Sequence, residues 1–135
     1  MKRRLTDLEL CEKYDNETQH TEYVTYLALK LFDRTKVVTG MSQNDKRLLE
    51  AAARLHDVAY SRRGKNHAPQ SAEIVLEEGL SGFNSAERAV IAGAILLHSG
   101  RRCRVPANID VAIRDRHKML MIAAYLRIAD GLDHG

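Results

Sequence analysis

The segment that decides the fold is residues 48–59, which read LLEAAARLHDVA. Its apolar residues recur at intervals of three and four, the spacing of one face of an α-helix. These apolar residues are Leu48, Leu49, Ala52, Leu55 and Ala59. His56 follows Leu55 directly and lies four residues after Ala52, beside the buried face. The segment therefore predicts an amphipathic helix that carries a potential ligand at its end.

The same helical spacing recurs in four further segments of the chain. They are centred on residues 23–32, 69–75, 90–95 and 119–129. Capping residues predict where the helices begin: Asn16 for the first, and Asn44 or Asp45 for the helix of residues 48–59. Gly79 is predicted to end the third helix, and the last helix is predicted to end near Gly131. The pattern predicts an all-α protein, a compact bundle of about five or six helices in a single domain over residues 1–135.

Loops are expected between these helices. They are residues 39–44, 61–66, 79–85 and 99–108. Ile109, Val111 and Ile113 alternate as in a strand, so the segment 107–116 stays open between strand, helix and loop. Nothing in the pattern requires a sheet.

Length and composition exclude several classes of protein. A chain of 135 residues with 44% hydrophobic residues can bury a core of its own, and two prolines and eight glycines argue against disorder. Cys11 and Cys103 form neither a CxxC motif nor a disulfide framework, so both are expected as free thiols of a cytoplasmic protein. Since no apolar run reaches about 18 residues and acidic residues interrupt the basic amino terminus, no membrane span or signal peptide is predicted.

Residues with metal-binding atoms fall on the inward faces or at the ends of the predicted helices. They are His20, His56, Asp57, His98 and Asp130. An inward aspartate is costly unless a cation or base compensates it, and a divalent metal with imidazole and carboxylate ligands does so. Because His56 and Asp57 are adjacent, they diverge by about 100° on a regular helix. Both can reach one ion only if the helix ends there or the ion lies to one side.

The order of these residues also carries a resemblance. His20, the doublet within ARLHDV at 53–58, and Asp130 within LRIADGLD at 126–133 resemble the HD superfamily of metal-dependent phosphohydrolases. The resemblance implies that His20, His56, Asp57 and Asp130 bind a divalent metal ion. It also implies that His67 and His98 bind a second metal ion or the substrate phosphate. The identity of the metal stays open among Mn, Mg, Fe, Co, Ni and Zn.

A narrower resemblance covers other motifs. SAEIV at 71–75, LSGF at 80–83, LH at 97–98 and LRIADGLD at 126–133 are similar to the helical carboxy-terminal module of the exopolyphosphatase/guanosine pentaphosphate phosphatase family. In complete members the polyphosphate chemistry belongs to an actin-like α/β portion, which this chain is too short to contain. The resemblance therefore implies the module and not that activity. HAPQ at 67–70 departs from the paired histidines of relatives, which leaves open whether one ion or two are bound.

Basic residues cluster in two predicted loops that directly follow His56–Asp57 and His98. They are Arg62, Arg63 and Lys65 in the first loop, and Arg101, Arg102 and Arg104 in the second. Guanidinium groups bind phosphate in bidentate fashion, and Arg63, Lys65, Arg101 and Arg102 are predicted to bind the substrate. A net charge of only +3, with no aromatic residues between the arginines, does not favour nucleic acid as a partner.

The sequence thus predicts a metal-dependent phosphohydrolase that acts on a small phosphate monoester or anhydride, such as a nucleotide, a guanosine polyphosphate or a polyphosphate-like substrate. A metal-activated water would attack phosphorus, with Asp57 holding the ion and orienting the water. His67 or His98 would bind the phosphate or protonate the leaving group. The alternative is a non-catalytic phosphate- or nucleotide-binding or dimerisation module. A homodimer is one expectation for a last helix that ends directly after its motif, and His117 and His134 are expected at the surface.

Overall fold

The computed structural model describes residues 4–14, 18–58, 67–98 and 109–134. Within these ranges the protein forms six α-helices and no strand. The helices are α1 (Asp7–Lys13), α2 (Thr18–Thr39), α3 (Gln43–Leu55), α4 (His67–Glu78), α5 (Ser85–Leu97) and α6 (Ile113–His134). The predicted all-α bundle is confirmed. None of these helices combines the length and the apolar composition that crossing a membrane requires.

Reciprocal capping boxes begin three of the helices. Thr6, Ser42 and Asn84 each accept a hydrogen bond from the backbone N–H three residues later, and the acidic side chain at that position accepts one from the backbone N–H of the cap. The first of these, Thr6 with Glu9, begins α1, a helix that the apolar spacing alone did not predict. Ser42 rather than Asn44 or Asp45 caps α3, because Asp45 serves as the reciprocal partner inside the first turn.

The predicted helix ends are partly confirmed. α4 ends at Glu78, and Gly79 adopts a positive φ of 76°, as a glycine directly after a helix commonly does. The last helix extends three residues beyond Gly131, to His134, so Gly131 lies within α6 and not after it. A glycine within a helix costs only about 1 kcal/mol, so it does not by itself end a helix. Ile109 and Val111 are buried outside any helix, and α6 begins at Ile113.

The core is built around α3 and α5. α3 packs against α1, α2, α5 and α6, while α5 packs against α3, α4 and α6. The small residues of the run 51–53, AAA, are fully buried and allow neighbouring helices to approach closely. Every residue of 89–97 on α5 is buried. This fits its composition, because a helix that is apolar on all sides is a helix buried in the core. The ends of these two central helices therefore lie where the surrounding helices can cover them.

One end of the bundle gathers the termini of four helices. His56 directly follows α3 and His98 directly follows α5, so both histidines stand at helix carboxy termini. His20 lies in the first turn of α2, and Asp130 lies near the end of α6. Because α2 packs against both α3 and α6, its first turn meets the ends of these helices. The fold thus collects polar side chains that are far apart in sequence.

Candidate metal centre

The structure brings four of the predicted site residues together. His20, His56, Asp57 and Asp130 each offer one ligand atom, and these atoms all lie within 4.8 Å of one another. The Nε2 atom of His20 lies 3.0 Å from Oδ1 of Asp130 and 3.4 Å from Oδ2 of Asp57. The Nε2 atom of His56 lies 3.3 Å from Oδ2 of Asp57 and 3.5 Å from Oδ1 of Asp130. We call these four residues the quartet.

The end of α3 explains how two adjacent residues serve one site. The helix ends at Leu55, and residues 56–58 form a turn instead of a further helical repeat. The backbone of His56 keeps helical dihedral angles, with φ −60° and ψ −28°, but the helix does not continue past it, and one atom of each side chain of the doublet reaches the same site. Nδ1 of His56 donates a hydrogen bond of 2.6 Å to the carbonyl oxygen of Ala53, which leaves Nε2 directed at the carboxylates. The sequence analysis required the helix to end at the doublet or the ion to lie to one side. The structure meets the first condition, because α3 ends at Leu55.

His56 is the most deeply buried member of the quartet. Its exposed fraction is 0%, and within the described ranges its Nε2 is the one buried side-chain nitrogen or oxygen without a hydrogen-bond partner. Burial alone would lower the pKa of His56, but the nearby carboxylates of Asp130 and Asp57 outweigh burial and raise it to about 10. Conversely, burial would raise the pKa of Asp130, yet His56 holds it below its usual value. The two carboxylates thus favour a positive charge beside them.

A divalent cation bound between the carboxylates of Asp57 and Asp130 would supply this positive charge. Two imidazole nitrogens and two carboxylate oxygens are a donor set that divalent transition metals accept. A buried nitrogen without a partner costs about 1–3 kcal/mol, and coordination of an ion removes this cost at Nε2 of His56. Asp57 and Asp130 keep side-chain exposures of 13% and 24%, so a ligand from solvent can approach the carboxylate side.

His98 stands beside the quartet. Its ring packs edge-on against the ring of His56, with centroids 5.2 Å apart, and its exposed fraction is 6%. Nδ1 of His98 is hydrogen-bonded to the carbonyl oxygen of Ile95. Burial, together with the charge of His56, lowers the pKa of His98 to about 4. At neutral pH the ring is therefore uncharged, and because Nδ1 donates to Ile95, Nε2 of His98 is left as a hydrogen-bond acceptor.

Two backbone groups that the sequence analysis did not anticipate orient these rings. They are the carbonyls of Ala53 and Ile95, each three residues before the histidine that it holds. Each histidine follows the last residue of its helix, and the carbonyls near a helix end lack partners within the helix. A histidine placed directly after an apolar helix end is the sequence signal that could have indicated this arrangement.

Other predicted site residues lie partly or wholly outside the described residues. His67 is the first residue of α4, but its side chain is not among those described. The same holds for the basic residues of the two loops, which fall in residues 59–66 and 99–108; they are Arg62, Arg63, Lys65, Arg101, Arg102 and Arg104. Their roles stay predictions. His117 is exposed on α6, as expected.

Comparison with known proteins agrees with this fold. An all-α bundle that gathers two histidines and two aspartates at one end is consistent with the HD superfamily. A family model described as Ppx/GppA phosphatase, domain III, matches residues 3–135. The chain belongs to this family, which confirms the resemblance to the helical module of the exopolyphosphatase/guanosine pentaphosphate phosphatase family. No curated protein matches the chain.

Proposed function

We propose that this chain is a metal-dependent phosphohydrolase that cleaves a phosphate monoester or anhydride. The observation that carries the proposal is the environment of His56. Among the residues that the structure describes, its buried Nε2 has no hydrogen-bond partner, and it lies 3.3 and 3.5 Å from two carboxylate oxygens. Membership of a phosphatase family supports the reaction class. The ligands are His20, His56, Asp57 and Asp130.

The donor set narrows the choice of metal. Imidazole nitrogen suits Fe, Co, Ni and Zn, Mn finds the two carboxylates it favours, and Mg demands mostly oxygen ligands, so a transition metal is the expected occupant. When bound, such an ion polarises a phosphoryl oxygen and lowers the pKa of a water molecule. His56, held through Nδ1 by Ala53, keeps its Nε2 in place without reorganisation. Asp57 accepts a hydrogen bond from the attacking water and orients it.

The remaining residues act on the substrate. His98 is uncharged at neutral pH, and it accepts a hydrogen bond from the water or from a phosphate hydroxyl. Arg63, Lys65, Arg101 and Arg102 bind the phosphate oxygens and compensate the charge that develops on them. Their place in the chain, shortly after the doublet and His98, supports this assignment.

The test is a comparison of metal-loaded and chelated protein. The purified chain is loaded with Mn²⁺ and assayed against nucleotides, sugar phosphates and inorganic tripolyphosphate. We expect phosphate release that EDTA abolishes and Mn²⁺ restores, and that His56→Ala removes. Asp33→Asn is the matched control, because Asp33 is exposed and pairs with Lys46 away from the quartet. Full activity of His56→Ala, or of the chelated protein, would overturn the proposal.

A second candidate is a non-catalytic module that binds phosphate or a nucleotide. The family description favours it, because domain III names one part of a larger phosphatase. Binding of metal and phosphate ligand without turnover would support the module and contradict the enzyme.

A homodimer belongs to this second proposal, and light scattering of the purified chain tests it. We also propose a cytoplasmic location, because neither cysteine of the sequence belongs to a CxxC motif or a disulfide framework.

A further inference from the structure

Two tyrosines on the helix that carries His20 are exposed to solvent. Tyr23 is 49% exposed and Tyr26 is 55% exposed. Their rings are within 20° of parallel, with centroids 6.4 Å apart. The other phenylalanine and tyrosine side chains in the described ranges are buried or half-buried. Packing of the core therefore does not account for these two rings.

Helix register connects the two rings to the quartet. His20, Tyr23 and Tyr26 follow one another at intervals of three, so each is a surface neighbour of the next on α2. Helical side chains lean toward the amino terminus of their helix, which places the ring of Tyr23 over the turn that carries His20. Along the axis, Tyr23 stands about 4.5 Å and Tyr26 about 9 Å from His20. By this register the rings form a row that starts one turn from His20 and winds about 60° around α2 at each step.

Lys30 continues this row on its far side. Its Nζ donates a hydrogen bond of 3.3 Å to the hydroxyl of Tyr26 and lies 5.5 Å from the centroid of that ring. A cation over an aromatic face restrains the ring and adds positive charge at the edge of the row. The surface next to the quartet thus offers two flat apolar faces followed by one hydrogen-bond donor. This arrangement of two rings and one donor is complementary to a planar aromatic ring that carries polar atoms on its edge.

We propose that Tyr23 and Tyr26 form a stacking platform for the base of a nucleoside phosphate whose phosphate end lies at the quartet. The inference rests on the proposed function, because the quartet must hold the phosphate end for the base to reach α2. A bare polyphosphate chain has no planar group and would leave both rings unused. Stacking on an aromatic ring tolerates different bases, since every base has a π-face. The platform therefore selects nucleotides over base-free phosphates, with little selection among the bases.

The test compares two ligands that differ only in the base, adenosine 5′-monophosphate and ribose 5-phosphate. Binding to the Mn²⁺-loaded full chain is measured by calorimetry, with tyrosine fluorescence as a second signal because the chain has no tryptophan. We expect the nucleotide to bind about tenfold more tightly than the sugar phosphate and to quench the tyrosine emission. Tyr23→Leu is expected to bring the two affinities to within about twofold without weakening ribose 5-phosphate, whereas Tyr23→Phe keeps the preference.

Matched controls separate stacking from general damage. Val37→Ala changes a 90% exposed residue at the other end of α2 and should change neither affinity. Equal affinities of the wild-type protein for the two ligands would overturn the platform and leave the phosphohydrolase proposal intact. A Tyr23→Leu protein that loses both ligands would also overturn it, since the tyrosine would then support the quartet itself. If the wild-type protein binds neither ligand, both proposals fail.

Discussion

Nε2 of His20 lies 3.0 Å from Oδ1 of Asp130, although 110 residues separate them in sequence. The contact joins the first turn of α2 to the last turns of α6. His56 and Asp57 reach the same point from the end of α3, so three separate parts of the chain meet at one place. A folded bundle is therefore required before any metal ligand set exists.

The first prediction concerns the metal affinity of the quartet. Asp130→Asn keeps the shape of the side chain but removes one of the two negative charges that face His56. Loss of an outer-shell partner typically costs about 10- to 100-fold in metal affinity, and loss of a direct ligand should cost more. Titration calorimetry with Mn²⁺ or Zn²⁺ measures the change. Asp33→Asn should bind metal as the wild type does, and an unchanged affinity of Asp130→Asn would exclude it as a ligand.

The second prediction concerns stability when metal is removed. A ligand that binds only the folded chain stabilises it by about 2.7 kcal/mol at 100 times its dissociation constant. Wild-type protein should therefore melt at a higher temperature with metal than after chelation. Thermal unfolding followed by circular dichroism measures the shift. The shift should vanish in His56→Ala, and a variant that retains it would show that the ion binds elsewhere.

The third prediction compares two leucines of α6. Leu126 is 0% exposed in the core, whereas Leu120 is 52% exposed. Leu126→Ala should lower the free energy of unfolding by about 2–5 kcal/mol, because it leaves a cavity among packed helices. Leu120→Ala should change it by less than about 0.5 kcal/mol. Urea unfolding measures both, and equal effects would contradict the packing of α6.

The fourth prediction compares two glycines. Gly131 lies inside α6, and a Cβ atom there would meet nothing within 4 Å. Gly131→Ala should stabilise the protein by about 0.5–1 kcal/mol, because alanine loses less conformational entropy in a helix. Gly79 has a φ of 76°, and a Cβ atom there would lie 3.0 Å from Nε of Arg4. Gly79→Ala should therefore destabilise, and denaturant unfolding of the two variants should give effects of opposite sign.

The fifth prediction concerns pH and the cap of α5. Glu87 accepts hydrogen bonds from the side chain of Asn44 and the backbone of Asn84, and chiefly the bond from Asn44 lowers its pKa below 4.5. A lowered folded-state pKa means that ionised Glu87 stabilises the fold above pH 4.5 and that this contribution is lost as the pH falls through the folded pKa. Glu87→Gln keeps the shape but not the charge. The difference in unfolding free energy between wild type and variant should shrink as the pH falls from 7 toward 3.5, and a constant difference would contradict this account.

Much of the fold could be predicted because helix formation follows local rules. Apolar spacing indicated five helices, and Gly79 ended α4 as its freedom to adopt positive φ suggests. The prediction missed α1, since only seven residues carry too little periodicity and the signal lay in the cap of Thr6 and Glu9. The prediction placed the end of the last helix near Gly131, three residues before His134, because one glycine is a weak local signal that does not by itself end a helix.

The candidate site divides in the same way. The sequence alone shows that His20, His98 and Asp130 lie at helical spacing from apolar residues. It also shows the order of motifs that resembles the HD superfamily. Only the tertiary structure decided that Asp57 and His56 share one side, because that depends on α3 ending at Leu55. It also decided that Ala53 and Ile95 orient the rings and that His98 stands beside the quartet. Periodicity determines which face of a helix is buried, whereas contacts between helices determine which buried groups meet.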